Sequence, residues 1–321
     1  MPAHWDLSHM PSQDGKIAIV TGGNSGIGFE TVRALALKNA QIVIASRNIT
    51  KTEDARQKIL LELPAAKIKT MQLDLASLSS IAAFVSEFKQ HFQQLHLLIN
   101  NAGVMAIPWA QTSDGFEMQF GTNHLGHFAL TCRLFDILCA TPRPRVVTIS
   151  SNMHRFAPAH LDLENINDSK HYHKWGAYSG SKLANLLFTY ELARRLETQK
   201  CPVIAVAAHP GYAATHLHID RQATKRSAVG ESLYSFGAHL FAQSAANGAL
   251  PTLYAATAPD INNGDYIGPS GFLQRSGYPK KVLPSQKARD EAMARKLWDF
   301  SEQCTGLTLN LDLSLIKSPS N

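Results

Sequence analysis

A strand that runs into a glycine-rich turn and then into a helix constrains the possible fold most strongly. Residues 16–21 are mostly β-branched and apolar, as is typical of a central parallel strand covered on both faces. Gly22, Gly26 and Gly28 follow, and a helix is predicted over residues 29–37. Because the amino end of a helix offers free N–H groups and a partial positive charge, we expect this unit to bind a phosphate. A structural turn without a ligand is the alternative, since the spacing differs from the common Gly-x-Gly-x-x-Gly pattern.

The rest of the chain continues the alternation of strands and helices. Further strands are predicted over residues 41–45, 67–73, 97–100, 145–151 and 201–208. The predicted helices between them include one that opens with a capping box at residues 50–53, one capped by Ser77, and one over residues 116–139. Strict alternation predicts an α/β protein of three layers, a single-domain Rossmann fold with a doubly wound parallel sheet. Ligands of such sheets bind at the carboxyl ends of the strands.

The chain is expected to consist of an N-terminal segment, the Rossmann domain and a C-terminal extension, at residues 1–14, 15–303 and 304–321. Within the domain, residues 212–246 carry several large apolar side chains, which fit either a lid over the site or ordinary core packing. The last helix is predicted over residues 285–300. Residues 307–315 alternate between leucine and mostly polar side chains, which is the period of a strand.

Composition argues against several kinds of partner. The net charge of +6 is spread over short pairs, and the absence of a basic run of five argues against nucleic acid. No apolar run approaches the roughly 20 residues of a membrane span, and the first fifteen residues do not resemble a signal peptide. The four cysteines lack CxxC spacing, and the pairs His171/His173 and His216/His218 lie in polar surroundings without a nearby carboxylate triad. We therefore expect a cytoplasmic protein with free thiols and no metal.

Tyr178 and Lys182 lie one turn apart on a predicted helix whose leucines recur at three- and four-residue steps. A free tyrosine titrates near ~10, and a neighbouring ammonium would favour the phenolate and lower that pKa. The pair is therefore a candidate for general acid–base catalysis. Taken alone, the pattern is weak, because most isolated Tyr-x-x-x-Lys pairs are a core tyrosine with an exposed lysine one turn on; the rest of the chain has to decide.

Other polar residues follow the ends of the predicted strands. Ser46 and Arg47 end the second strand, where an arginine suits a 2′-phosphate and an acidic residue would instead bind a free ribose hydroxyl. This arginine predicts NADP(H) as the cofactor. Ser150 and Ser151 both follow the fifth strand, and strand alternation does not decide which hydroxyl faces the site. Asn123 lies in an apolar helix, where a buried amide is costly unless it is bonded, so it is either a packing solution or part of a site.

Six motifs occur in one order that resembles the short-chain dehydrogenase/reductase family. They are Thr21-Gly-Gly-x-x-Gly26-Ile-Gly28, Asn100-Asn-Ala-Gly103, Asn123, Ser151, Tyr178-x-x-x-Lys182 and Pro210-Gly211-x-x-x-Thr215, and they span about residues 15–270. The insertion between Ser151 and Tyr178 and the block at residues 181–188 resemble the retinol dehydrogenase and WW-domain oxidoreductase branch. Light-dependent protochlorophyllide reductases share much of this layout, but their expected cysteine pattern is missing.

The resemblance implies a role for each matching residue. Tyr178 would be the general acid/base, Lys182 would lower its pKa and bind the nicotinamide ribose, Ser151 would orient the substrate oxygen, and Asn123 would hold a water. Thr215 would bind the carboxamide, and Asp74 with Ala102 would flank the adenosine. The residues expected to bind the cofactor are Gly22, Asn24, Ser25, Gly26, Ile27, Gly28, Ser46, Arg47, Asp74, Leu75, Asn101, Ala102, Gly103, Tyr178, Lys182, Pro210, Gly211 and Thr215.

These features together predict an NADP(H)-dependent oxidoreductase that interconverts a carbonyl and an alcohol on a hydrophobic aldehyde or ketone. The cofactor would carry the hydride and a phenol would carry the proton. Two alternatives stay open at this point: a protein that senses NADP(H) without chemistry, and an enzyme like the protochlorophyllide reductases. The family resemblance also raises a homo-oligomer as a possible assembly.

Overall fold

A computed structural model describes residues 4–199, 201–212 and 244–309 of the chain. Within these ranges one sheet of eight strands is formed, in the order β3-β2-β1-β4-β5-β6-β7-β8. The strands are β1 (Ile17–Thr21), β2 (Gln41–Ser46), β3 (Lys67–Gln72), β4 (Leu97–Asn100), β5 (Arg145–Ile149), β6 (Ile204–Ala208), β7 (Tyr266–Pro269) and β8 (Pro279–Lys281). The first seven are parallel, which confirms the predicted doubly wound sheet. Neither β7 nor β8 was predicted; β7 pairs parallel with β6, and β8 pairs antiparallel with β7.

Helices cover both faces of the sheet. They are α1 (Gly26–Leu37), α2 (Ile49–Glu62), α3 (Leu78–His91), α4 (Met118–Phe120), α5 (Gly126–Arg133), α6 (Phe135–Cys139), α7 (Lys174–Thr198), α8 (Ala245–Thr257) and α9 (Glu291–Thr305). A π-helical turn, Gly121–Leu125, joins α4 to α5, and a short 3₁₀ helix, Asn152–Phe156, follows β5. No helix in the described ranges is long and apolar enough to cross a membrane.

The two helical layers are separated by the alternation of side chains along each strand. Ala18 and Val20 of β1 join a core cluster with α1 and α8, whereas Ile19 between them joins a second cluster with α3, α5 and α7. All three side chains are fully buried. The N-terminal segment also belongs to the first layer, because Trp5 is buried and packs edge-on against Tyr254 of α8 at 5.2 Å.

Two helices, α1 and α2, begin at residues other than the predicted ones. α1 begins at Gly26, three residues earlier than predicted, since the glycine turn itself forms its first turn. The predicted capping box at residues 50–53 is wrong: Asn48 caps α2 by accepting the N–H of Lys51 at 3.0 Å. Ser77 does cap α3 as predicted, through the N–H of Ser80 at 3.2 Å.

The predicted helix over residues 116–139 is not continuous. The N–H of Gly126 bonds to the carbonyl of Gly121, five residues back, which defines the π turn between α4 and α5. The last helix, α9, is capped by Asp290 and runs to Thr305, past the predicted end at residue 300. Residues 307–309 form no strand, and the rest of the alternating tail lies outside the described residues, as does nearly all of the predicted lid.

Candidate active site

The site is built where the strand order of the sheet reverses, between β1 and β4. These two strands are neighbours although β2 and β3 separate them in the sequence, so the loops at their carboxyl ends diverge and leave a crevice. The glycine turn follows β1 on one side of the crevice. Asn101, Ala102 and Gly103 follow β4 on the other side.

The glycine turn packs so closely against the loop after β4 that its glycines could not carry side chains. Gly22 and Gly26 have φ angles of 65° and 54°, in the left-handed region that favours glycine. A Cβ on Gly28 would lie 2.3 Å from the carbonyl oxygen of Gly22 and 2.6 Å from Nδ2 of Asn101. That amide donates to the carbonyl of Thr21 at 2.8 Å. The turn is therefore held in one conformation by the loop across the crevice.

The amino end of α1 is left available to an anion. Ser25 occupies the N-cap position, but its side chain makes no capping hydrogen bond, and the first turn carries no acidic residue. Ser25 is exposed, Asn24 is partly buried and Ile27 is buried in the core. Since the first N–H groups of a helix have no partner within it, this end retains its partial positive charge.

A chain of buried hydrogen bonds connects the Asn101 loop to Asn123. The N–H groups of Asn101 and Ala102 both donate to the Thr21 hydroxyl at 2.9 Å, and this hydroxyl lies 2.9 Å from Nε2 of His127. Nδ1 of His127 is 3.0 Å from the carbonyl of Asn123, which can only accept. Nδ1 therefore carries the proton of the neutral ring, and Nε2 accepts from Thr21.

The Asn123 side chain is fully buried and fully bonded. Its Oδ1 accepts the N–H of Val104 at 2.8 Å, and its Nδ2 donates to the Val104 carbonyl and to the Ser181 hydroxyl, both at 2.9 Å. Gly103 passes so close that a Cβ there would lie 2.9 Å from Oδ1 and 3.5 Å from Nζ of Lys182. Asn123 thus fixes the loop after β4 to α7, and the water-holding role that the resemblance implies stays a prediction.

Tyr178 and Lys182 are both buried on α7, at 6% and 5% exposure. Nζ of Lys182 lies 5.9 Å from the centre of the Tyr178 ring and donates to the carbonyl of Ile149 at 3.1 Å. Burial raises the pKa of Tyr178 to about 12, and a side-chain hydrogen bond with Ser151 lowers it in part. Burial also lowers the pKa of Lys182 to about 8. The expected lowering of the tyrosine pKa by Lys182 is therefore not found, because desolvation of the phenol is the larger effect.

The two serines after β5 have different partners. The buried Ser150 hydroxyl donates to the main-chain carbonyl of Lys182 at 2.8 Å and so fixes α7 to the sheet. Ser151 is only partly buried, lies close enough to Tyr178 to lower the pKa of the phenol, and accepts the N–H of Met153 at 3.2 Å. The structure therefore places Ser151, rather than Ser150, beside the phenol.

Known proteins with similar sequences and structures belong to the family that the motifs resemble. The family model described as short chain dehydrogenase matches residues 16–163. Retinol dehydrogenase 14 of Mus musculus is 38% identical over 307 residues, which cover 91% of this chain and 86% of that protein. The WW domain-containing oxidoreductase of Homo sapiens is 38% identical over 298 residues, which cover 90% of this chain and 68% of that protein. The crystal structure of an uncharacterized protein from Mycobacterium paratuberculosis is 38% identical, with a TM-score of 0.78 over 96% of this chain and 99% of that one.

The chain belongs to the short-chain dehydrogenase family. Its similarity to retinol dehydrogenase 14 and to the WW domain-containing oxidoreductase confirms the branch that the sequence resembles. The family assignment makes the protein an oxidoreductase that acts on the alcohol and carbonyl couple of a small molecule.

Two histidines outside the motifs hold the loops on the Ser151 side of the candidate site. Nδ1 of His154 donates to the Ser151 carbonyl at 2.6 Å, and its Nε2 accepts the N–H of Ser285 at 3.1 Å. Nδ1 of His209 accepts the N–H of Gly211 at 3.2 Å, and its Nε2 donates to Oε1 of Gln274 at 3.0 Å. Each ring is buried and neutral, and each bonds a loop at the carboxyl edge to the chain packed behind it. No sequence spacing marks either histidine.

The residues expected to bind the adenosine part of the cofactor include one exposed cation and several groups that are hydrogen-bonded within the protein. Arg47 is exposed and forms no ion pair with another residue in the part of the chain that the structure describes. The buried Ser46 hydroxyl bonds to the Thr52 hydroxyl inside α2. Oδ1 of Asp74 accepts the N–H of Ala76 at 3.0 Å, which leaves its other carboxylate oxygen for a ligand. Leu75 is buried, and its carbonyl would be 2.4 Å from a Cβ on Gly126.

The remaining predicted cofactor residues follow β6. Gly211 has a φ angle of 73°, and a Cβ there would lie 2.4 Å from the carbonyl of Arg275. Pro210 precedes it and is partly buried. Thr215, expected to bind a carboxamide, lies outside the described residues.

The buried neutral histidines predict loss of stability in acid. Burial lowers the pKa values of His127 and His154 to about 4 and that of His209 to about 3. Between these values and the unfolded value near ~6.5, the unfolded chain binds protons that the folded chain does not. The melting temperature should therefore fall as the pH is lowered from about 7 to about 5.

His154→Gln, which can still donate and accept a hydrogen bond, should reduce this dependence of the melting temperature on pH, and His160→Gln at an exposed position should leave it unchanged. An equal slope in all three proteins would contradict the account.

The Thr21 hydroxyl should be required for stability. In Thr21→Val, the N–H of Ala102 loses its acceptor and the N–H of Asn101 keeps only the Ile99 carbonyl at 3.0 Å, which should lower the free energy of unfolding by about 1–3 kcal/mol. Thr21→Ser keeps the hydroxyl and should cost about 1 kcal/mol or less. Urea unfolding of both variants measures the difference, and a valine variant as stable as the serine variant would show that the hydroxyl is not needed.

Proposed function

We propose that the protein is an NADP(H)-dependent dehydrogenase/reductase that interconverts the carbonyl and alcohol forms of a hydrophobic aldehyde or ketone. One observation carries the proposal: the Ser151 hydroxyl and the Lys182 ammonium both lie near the Tyr178 ring, and Lys182 also approaches Gly103 in the loop after β4. A cytoplasmic location and a homo-oligomeric assembly stay predictions from the sequence.

The residues of the crevice fit a dinucleotide. The glycine turn has no side chain where Gly28 faces Gly22, so a pyrophosphate could approach the main chain and the uncapped end of α1. Asp74 and Ala102 would flank the adenosine, and the exposed Arg47 guanidinium would pair with a 2′-phosphate. Lys182 would bind the nicotinamide ribose.

The chemistry is divided between the cofactor and the chain. When bound, the nicotinamide supplies or accepts the hydride. Tyr178 donates a proton to the substrate oxygen during reduction and removes it during oxidation. Ser151 donates a hydrogen bond to the same oxygen and sets its distance from the phenol. Because burial holds the pKa of Tyr178 at about 12, the phenol is protonated at neutral pH and is ready to act as the acid of the reductive direction.

Charge around Tyr178 would change during the reaction. Proton transfer to the substrate oxygen leaves a phenolate, which burial disfavours and which the Lys182 ammonium stabilises. Since burial lowers the pKa of Lys182 to about 8, this ammonium is present at neutral pH and is lost in moderately alkaline solution. Lys182 would therefore act on the phenolate as it forms rather than on the resting phenol.

An apolar substrate is supported by the surroundings of the phenol. Trp175, one turn before Tyr178 on α7, is 38% exposed and packs edge-on against the phenol ring at 6.5 Å. An aromatic face at this point would contact the carbon skeleton of a substrate whose oxygen is held by Ser151. The similarity to retinol dehydrogenase 14 supports the same class of substrate.

Loss of the Tyr178 hydroxyl should abolish turnover and preserve cofactor binding. For Tyr178→Phe we expect kcat/KM for a hydrophobic aldehyde to fall by about 10²- to 10⁴-fold, because the proton donor is removed. Tyr190→Phe, on the same helix, should keep wild-type rates. Rates are measured from the absorbance of the reduced cofactor and binding from tryptophan fluorescence. Unchanged turnover in Tyr178→Phe would refute the assigned acid, and a wild type that binds NADPH without reducing any aldehyde or ketone would favour a sensor.

Arg47 should determine the choice between NADPH and NADH. Arg47→Asp should weaken NADPH binding by about 10-fold or more, since a charge-assisted hydrogen bond is replaced by repulsion, and should change NADH binding much less. Lys51→Asp makes the same charge change at the nearby exposed start of α2 and serves as the control. Fluorescence titration with each cofactor gives the ratio of dissociation constants. A ratio that is unaltered in Arg47→Asp would show that Arg47 does not contact the 2′-phosphate.

A further inference from the structure

Two cysteines far apart in the sequence face each other at the amino edge of the sheet. The Sγ atoms of Cys139 and Cys201, 62 positions apart, lie 3.0 Å from each other. Cys139 is the last residue of α6, and Cys201 lies between α7 and β6. Both thiols are free and partly accessible to solvent. Neither their spacing nor the cysteine content of the sequence predicts this contact.

The main chain holds both thiols in place. The N–H of Cys201 donates to the carbonyl of Leu196 at 3.0 Å, at the end of α7. After Cys139, the Thr141 hydroxyl donates to the carbonyl of Ile137 at 2.7 Å and accepts the N–H of Leu95 at 2.9 Å. A disulfide bond of about 2.05 Å would require the two sulfur atoms to approach by only about 1 Å.

The pair is also chemically different from the other two cysteines. The hydrogen bond between the thiols lowers the pKa of Cys201 and raises that of Cys139, as expected when one thiol donates to the thiolate of the other. Burial raises the pKa values of Cys132 and Cys304, and neither has a thiol partner among the described residues. Cys201 is therefore the most readily ionised of the four thiols.

We propose that Cys139 and Cys201 form a redox site that reacts with a hydroperoxide and closes to an intramolecular disulfide. The Cys201 thiolate attacks the outer oxygen of the peroxide and forms a sulfenic acid, and the O–O bond breaks to release an alcohol or water. Cys139 then attacks the sulfur of the sulfenic acid, forms the S–S bond and expels the oxygen as water. In total, two thiols lose two electrons and two protons and one peroxide is reduced. A dithiol reductant reverses the change.

The disulfide would join the two ends of the segment that carries the catalytic groups. Ser151, Tyr178 and Lys182 all lie between Cys139 and Cys201, but at the opposite, carboxyl edge of the sheet. The bond would reduce the number of conformations open to the unfolded chain, and it would form outside the candidate active site. We therefore expect the oxidised protein to melt about 5 °C higher than the reduced protein.

The test uses the full-length protein treated with hydrogen peroxide in small excess, then alkylated and digested with trypsin. The expected product joins the peptides 134–145 and 201–221 and has lost two hydrogen atoms, while Cys132 and Cys304 are recovered alkylated. Dimedone should label Cys201 in Cys139→Ser and should not label Cys139 in Cys201→Ser. Cys132→Ser and Cys304→Ser should still form the disulfide and show the higher melting temperature, which dithiothreitol should return to the reduced value.

Three outcomes would overturn the proposal. One is a peroxide-treated protein in which all four cysteines are alkylated. Another is oxidation of Cys132 or Cys304 at a rate equal to that of Cys201, and a third is a disulfide formed only between two chains. The Cys→Ser variants are checked for folding by circular dichroism and for turnover. Since neither thiol touches the proposed substrate or cofactor site, the test stands or fails independently of the proposed reaction.

Discussion

The rest of the site depends on the hydrogen bonds of the Thr21 hydroxyl. This hydroxyl accepts the N–H groups of Asn101 and Ala102 and faces Nε2 of His127, so all of its hydrogen-bonding capacity is used at a fully buried position. These bonds set the distance between the glycine turn after β1 and the loop after β4. Through His127 they also reach the main chain of Asn123. A displacement at this hydroxyl would therefore move both the expected cofactor loops and the loop that contacts α7.

The sheet could be predicted from the sequence because apolar, β-branched runs leave few other structures open to a chain of alternating elements. The predicted strands agree with the observed ones to within about three residues at each end. Helix starts were less predictable, since a cap depends on a single side chain. Asn48, and not the predicted capping box at residues 50–53, caps α2. α1 begins at Gly26 and not at Phe29. The antiparallel β8 is three residues long and has no periodic signal.

The motifs identified the residues around Tyr178, but their energetics required the structure. Burial outweighs the Lys182 charge in setting the phenol pKa, and nothing in a Tyr-x-x-x-Lys spacing gives the depth at which the ring lies. The choice between Ser150 and Ser151 likewise depends on the path of the chain after β5. His154 and His209 bond to residues as distant as Ser285 and Gln274, so their role follows only from the tertiary fold.

The π turn at Gly121–Leu125 gives the helical segment around Asn123 one residue more than a regular α-helix of the same length would need. One residue of an α-helix corresponds to a rotation of roughly 100°. The side chains before and after the turn are therefore out of register by about that angle relative to a regular helix, and Asn123 lies inside the turn, where its amide bonds to Val104 and Ser181. Loss of a single residue here would restore a regular helix and direct the amide elsewhere, so the site depends on the number of residues in this segment as well as on their identity.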